Sequence, residues 1–343
     1  MNARPIAPRP TQAPLDQVTD FGEIEALMAA ANLGGKSMKI DREKLVTDLK
    51  ARVLGQDAVI DEVAKGIVNG YAKESRARPV ATFLAVGSPG TGKTELAKAI
   101  AECVYGSKDA LVQLNMAEFS SPEAINKLIG TPTGYQGSAD GGALTRPLRG
   151  DGKKVVLFDE IEKAGSALGE VQKLFLSSLN DGFLNEGSGK KISTTNAIFF
   201  ITSNLCHEQI AAAASSVTTP LERNAQIKAI IQPHGFLPEV LDRIPDYLYF
   251  QQLPPNVMAR VVAQKTVGIA KEYGLIVAQI ESAAVVAMLQ RTQKVAGGVR
   301  TVIQDAERIL GDSLVACKHG GATMVRITVN GDQLVAVPHT IED

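Results

Sequence analysis

One stretch, Gly87-Ser88-Pro89-Gly90-Thr91-Gly92-Lys93-Thr94, limits what this chain can fold into more than any other. It fits GxxxxGK[ST] at every position, following an apolar run at 82–87 and opening a helical pattern at 95–104. A strand that turns through glycines into a helix points its backbone N–H groups inward. The helix N-terminus adds positive potential at the same spot, and together they hold phosphate. Lys93 is then placed to neutralise β- and γ-phosphates, and Thr94 to bind Mg2+ through its hydroxyl. A plain glycine-rich turn is the competing reading.

Four further apolar runs, at 110–116, 154–160, 196–204 and 246–253, are read as strands, with helical stretches between most of them. Runs buried on both faces and separated by helices imply a parallel sheet covered on both sides. Ligands in such folds bind at the carboxyl ends of the strands. Two of these ends are polar in a telling way. Val155-Val156-Leu157-Phe158 runs into Asp159-Glu160. Asp159 would hold magnesium directly or through water, and Glu160 would polarise the water that attacks the γ-phosphate. Ile201-Thr202-Ser203-Asn204 ends the next strand. Asn204 could bond that water or the γ-phosphate, with a turn or capping role as the alternative.

Pro254-Pro255 closes this domain. Beyond it, 257–273, 282–291 and 299–318 read as helices, and 324–329 and 333–337 flank Asn330-Gly331-Asp332 as a hairpin. The expected organisation is a tail with a short helix at 1–40, a large domain at 41–253 and a small domain at 254–343. Residues 1–14 are proline-rich, and 15–28 carry apolar residues at helical spacing, to pack on their own domain or to dock a partner. A net charge of −1 argues against a protein built to coat nucleic acid. No apolar run is long enough to cross a bilayer, and no secretory h-region is visible. Three widely spaced cysteines, Cys103, Cys206 and Cys317, suit a reducing cytoplasm better than a disulfide framework.

Taken with several other stretches, these motifs closely resemble the Clp-type AAA+ unfoldases, in particular the second ATPase module of the two-ring disaggregases. The resemblance covers roughly residues 41–340. Val53-Leu54-Gly55-Gln56-Asp57 looks like the family's box beside the adenine, which assigns Val53 and Leu54 to the base. Leu157-Phe158-Asp159-Glu160-Ile161-Glu162-Lys163-Ala164 is similar to the family's Walker B stretch nearly letter for letter. Gly134-Tyr135-Gln136-Gly137, followed by Gly141-Gly142-Ala143-Leu144-Thr145, looks like the pore loop that lays an aromatic ring against a threaded polypeptide. Asp181-Gly182-Phe183-Leu184 and the glycine-rich segment behind it match a second pore loop.

The resemblance also supplies two arginines. The segment 236–245 makes Arg243 the candidate arginine finger reaching a neighbour's γ-phosphate, with Asp242 beside it as a carboxylate that could hold it in a salt bridge. Gly297-Gly298-Val299-Arg300 resembles the sensor-two motif, in which Arg300 would bind the γ-phosphate in cis.

The implied fold is an α/β P-loop AAA+ domain, with a five-stranded parallel sheet flanked by helices, plus a small C-terminal helical domain with a β-ribbon. The implied cofactors are ATP and Mg2+. The implied work is ATP-driven protein unfolding or remodelling by a ring, expected as a hexamer, that threads polypeptide through its pore. The sequence shows no second phosphate-loop set and no Ile-Gly-Phe or Ile-Gly-Leu peptidase-docking tripeptide between 205 and 235. An unfoldase working without a peptidase is therefore favoured. An AAA+ nucleic-acid motor or helicase loader, or a nucleotide-gated assembly scaffold, are the alternatives.

Overall fold

The computed structural model describes residues 39–121, 124–135, 140–217, 219–293, 298–331 and 333–339, excepting the side chains of 291–293 and 298–302. The expected tail and helix of residues 1–38, together with Gln136, Gly137 and the Arg300 side chain, lie outside that description.

Two helices, α1 (Arg42–Arg52) and α2 (Asp57–Tyr71), precede β1 (Ala81–Gly87) and α3 (Lys93–Tyr105). Asp41 caps α1, its Oδ1 accepting from the backbone N–H groups of Glu43 and Lys44. Strand β2 (Leu111–Asn115) and the short α4 (Ile125–Ile129) lead to β3 (Val155–Asp159) and α5 (Leu168–Asp181). A hairpin of β4 (Phe183–Asn185) and β5 (Lys191–Ser193) comes next, then β6 (Ile198–Ser203). Helices α6 (His207–Ser216), α7 (Pro220–Ile231) and α8 (Pro238–Leu241) separate it from β7 (Asp246–Phe250).

The main sheet runs β2-β3-β6-β1-β7 with every pairing parallel. Alternate residues of each strand feed separate cores, as the two-residue period requires. Leu84, Val86, Phe158 and Phe199 pack on α5, whose Phe175 meets Phe158 edge-on at 4.5 Å between ring centroids. Phe83, Ala85, Leu157 and Phe200 face the opposite way, toward α2 and α3. With β1 in the interior and fully buried, its C-terminal end opens into the middle of the sheet's carboxyl edge. The phosphate loop starts there.

The remainder comprises α9 (Pro255–Glu272), β8 (Ile276–Ile280), α10 (Ser282–Gln293), α11 (Gly298–His319), β9 (Met324–Asn330) and β10 (Gln333–Pro338). Leu310 and Leu314 pack with Val325, Ile327 and Leu334 in a core of their own. The expected hairpin is present, but it belongs to a three-stranded sheet, because β8 pairs parallel to β9 with a register shift between Val277 and Gln279. Among the described residues no helix is long and apolar enough to cross a membrane.

The segment read as a second pore loop is the β4–β5 hairpin. Leu184 and Ile192 sink into the core, and Glu186 at its turn is buried. Apolar side chains on both arms hold it down, which is why it is a packed ribbon here.

Candidate active site

The phosphate loop needs its glycines. Gly87, Gly90 and Gly92 have φ of 145°, 76° and 102°, the region a side chain rarely enters. A Cβ on Gly87 would also lie 2.3 Å from the Phe250 carbonyl oxygen, so the loop can lean on β7 only with glycine there. Helix α3 begins at Lys93 without a side-chain cap, which leaves its first N–H groups facing the loop. The Lys93 ammonium is tucked beneath, donating to the carbonyls of Gly87 at 2.7 Å and Ser88 at 2.8 Å. Gln56 braces the loop from behind, its Nε2 donating to the carbonyls of Thr91 and Gln251.

Parallel register brings the acids to the same level. Asn115 sits opposite Asp159, and Phe158 opposite Ile201. Asp159 accepts from Thr202 Oγ1 at 2.7 Å, Gln113 Nε2 at 3.1 Å and Thr94 Oγ1 at 3.2 Å. One hydroxyl and one carboxylate converging at a phosphate loop fit Mg2+, which binds through one or two protein oxygens, phosphates and water. Among the described residues no cluster of three or more His, Cys, Asp or Glu forms an alternative metal cage.

Glu160 leaves β3 in the left-handed region, with φ 56° and ψ 61°. That costs about 1–2 kcal/mol for a residue with a Cβ, and it turns the carboxylate out of the strand direction into the cavity. Its backbone N–H is held by Thr202 Oγ1 at 2.9 Å. Asn204 Nδ2 donates to Glu160 Oε1 at 2.8 Å, and Lys163 Nζ lies 2.5 Å from Oε2. The Asn204 Oδ1 is buried without a partner, an acceptor suited to a water or hydroxyl beside Glu160. The hydrogen bond to Glu160 is a partner that the sequence reading did not foresee for Asn204.

Asp159, Glu160, Thr202 and Asn204 line one cavity of about 760 Å³, together with Val53, Leu54 and the loop from Pro89 to Glu95. Ile303 and Gln304 reach it from α11, the helix that Arg300 enters near its N-terminus. Lys265 of α9 crosses to Glu95 at 2.6 Å, while Lys98 approaches the other oxygen at 3.0 Å. Burial pushes the Glu95 carboxyl up, but the two ammonium groups outweigh it and hold it below the ordinary value. Gln113 and Lys265 were not picked out in sequence, and Thr202 and Lys163 were given no role of their own there. Gln113 and Thr202 could have been singled out, as polar residues inside otherwise apolar strands.

Arg243 does not line the cavity of its own chain. Its guanidinium donates to Asn180 Oδ1 at the end of α5 and to the Glu239 carbonyl. The salt bridge to Asp242 is not made. Asp242 instead caps α8 and pairs with Lys228 of α7. Gly134 (φ 98°) presents Tyr135, 70% exposed, well outside the cavity lining.

Residues 78–247 match the model of the AAA domain (Cdc48 subfamily). The chain is also 32% identical over 319 residues to the chaperone protein ClpB of Enterococcus faecalis, a match covering 90% of this chain. The chain belongs to the AAA family, in its Clp-type branch. Two further relatives of this branch are the ATP-dependent Clp protease ATP-binding subunit ClpE of Bacillus subtilis and the ClpB chaperone of Lactiplantibacillus plantarum. The first is 35% identical over 224 residues and the second 35% over 229, covering 64% and 65% of this chain. The chain spans only 36%, 31% and 26% of these three relatives' own lengths. The five-stranded parallel sheet, the helices on both its faces and the C-terminal helical and strand region are as the sequence resemblance implied.

Proposed function

We propose that the chain hydrolyses ATP and uses the energy to unfold or remodel other proteins. The observation that carries this reading is the hydrogen-bonded set Thr94–Asp159–Thr202 beside Glu160–Asn204, at the carboxyl ends of parallel strands. Thr94 and Asp159 would hold Mg2+, which supplies charge neutralisation at the phosphates when bound. Lys93 and the α3 N-terminus orient the same groups. Glu160 accepts the proton of the attacking water, and Asn204 fixes the carboxylate in place while its own Oδ1 orients that water.

Arg243 completes the pocket of an adjoining copy, so the active form is a ring, taken as a hexamer. Arg300 reads the γ-phosphate from the small domain. Tyr135, with Gly134, Gln136 and Gly137, grips polypeptide in the central pore. The large domain is taken as 41–253 and the small one as 254–343. Three free cysteines suit a reducing cytoplasm.

Two variants test this. Glu160→Gln should lower steady-state phosphate release by about 10²–10⁴ while ATP binding persists. Unchanged turnover would remove Glu160 from the chemistry. Tyr135→Ala should weaken grip by about 2 kcal/mol, or ~30-fold in unfolding of a tagged test protein. Full unfolding by that variant would end the threading idea.

A further inference from the structure

We propose that the β4–β5 hairpin is a strut for the Tyr135 loop, with the ion pair of half-buried Arg149 and buried Glu186 as its pin and both residues acting as positioning residues for polypeptide engagement. The proposal rests on the reading of Tyr135 as the polypeptide contact.

The pin is unusually well made. The Glu186 side chain is 1% exposed. Arg149 donates through Nε to Oε1 at 3.1 Å and through Nη2 to Oε2 at 2.8 Å, a two-pronged fit that fixes direction as well as distance. Ser188 Oγ adds a third bond at 2.8 Å. Burying such a pair is a poor way to gain stability, since well-packed apolar residues do as well or better. What it does fix is orientation, and its place in the fold shows whose.

The exit stem of the Tyr135 loop meets the pair itself, and the entry stem meets the hairpin turn beside it. On the exit side, a Cβ at Gly141 would lie 2.5 Å from Glu186 Oε1 and 2.7 Å from Arg149 Nη2. On the entry side, the Gly187 N–H donates to the Ile129 carbonyl at 2.8 Å, and a Cβ at Gly187 would lie 2.1 Å from the Gly130 oxygen. Thr133 Oγ1 donates to the Ser188 carbonyl at 3.2 Å, only two residues short of the tyrosine. The stems also bond each other, Ala143 N–H to Lys127 and Leu144 N–H to Leu128. Glycine at 130, 141, 142 and 187 is thus the condition for the hairpin turn and the loop base to touch backbone to backbone.

The other end of the hairpin is tied to the nucleotide machinery. Helix α5 enters it directly after Asn180, the residue that holds the Arg243 guanidinium. Strand β5 leaves it toward β6 and Asn204, and a Ser178–Thr194 hydroxyl bond of 2.7 Å closes the base. A shift of Arg243 or of β6 therefore has a short, packed route to the stems of the tyrosine loop.

The experiment is hydrogen–deuterium exchange and ATPase on the full chain with ATP, using unfolded casein as the polypeptide probe. In Glu186→Gln, exchange at 130–135 and 140–144 should speed at least tenfold while β1 and α3 stay protected. The KM for casein stimulation should rise at least fivefold, with turnover in its absence within twofold of the parent. If Glu186→Gln fails to fold, Gly187→Ala, which presses on Gly130 without altering charge, should give the same local pattern. Unchanged exchange in the stems, or exchange raised across the whole chain, overturns the strut. If Tyr135→Ala leaves the casein KM unaltered, the threading reading fails, and the exchange result still decides the strut.

Discussion

At the nucleotide cleft, Thr94, Asp159, Thr202, Glu160 and Asn204 stand on strand ends and a helix start locked by parallel register, and they bond one another within 2.7–3.2 Å. At the Tyr135 loop the backbone N–H donates to the Pro132 carbonyl at 3.3 Å, while the side chain is 70% exposed and has no hydrogen bond among the described residues. Its order comes from the stems, which glycines and the ion pair of Arg149 with buried Glu186 hold to a neighbouring hairpin. Bond-breaking needs groups preorganised to fractions of an ångström, and a sheet edge supplies that. Gripping varied polypeptides needs a ring free to adapt on a base that does not yield. The two regions differ in where the rigidity is placed.

The largest test of that contrast is Arg243→Ala. The cleft of one chain lacks this guanidinium, so its removal should lower hydrolysis by about 10³-fold or more in the assembled form. Mixing that variant with Glu160→Gln should restore part of the turnover, because one variant supplies Glu160 and the other Arg243 at shared pockets. Phosphate release that does not recover on mixing, with Arg243→Ala itself fully active, would mean that the cleft is complete within a single chain.

A middle-sized effect belongs to the loop's base. Arg149→Met leaves buried Glu186 beside no guanidinium and should cost about 1.5–3 kcal/mol in urea unfolding, whereas Arg149→Met with Glu186→Met should recover much of it. If the double variant is as unstable as the single one, the pair matters for stability rather than for orientation. Acid should probe the same site. Burial raises the Glu186 carboxyl, but the hydrogen bonds from Arg149, Ser188 and Thr145 prevail and hold it below the usual 4.5. The stabilisation is therefore complete above pH 4.5 and is lost as pH falls through the lowered folded value. Glu186→Gln should flatten that part of the pH–stability curve.

The cleft was far more legible in sequence than the loop's support, for a physical reason. Strand ends at a phosphate loop write themselves as local patterns: an apolar run, then the polar residue that emerges. The five main strands accordingly fall within a few residues of their expected bounds. Strand β8 was not foreseen, because Ile276, Ala278 and Gln279 are exposed at a sheet edge and leave no two-residue period. Arg149 and Glu186 lie 37 positions apart and look like any two surface charges, since only folding brings them together. Asp242 misled for the converse reason. Adjacency in sequence suggested a bond to Arg243, and the fold gave its carboxylate to Lys228 fourteen positions away.

Lys163 carries the smallest expected effect and sharpens the comparison on the cleft side. Its ammonium is 2.5 Å from Glu160 Oε2 yet 52% exposed, so solvent screens the pair. Exposed pairs of this kind are worth about 0.2–1 kcal/mol, which limits Lys163→Met to at most about a fivefold change in hydrolysis. The direction should be upward, because the ammonium competes with water for a carboxylate oxygen. The hydrogen bond to Glu160 holds the Lys163 ammonium above its ordinary range, so it stays charged through neutral pH and adds no limb to the pH–rate profile there. A hundredfold loss in Lys163→Met would place this side chain in the chemistry, and the preorganised set at the strand ends would then extend onto the turn that follows β3.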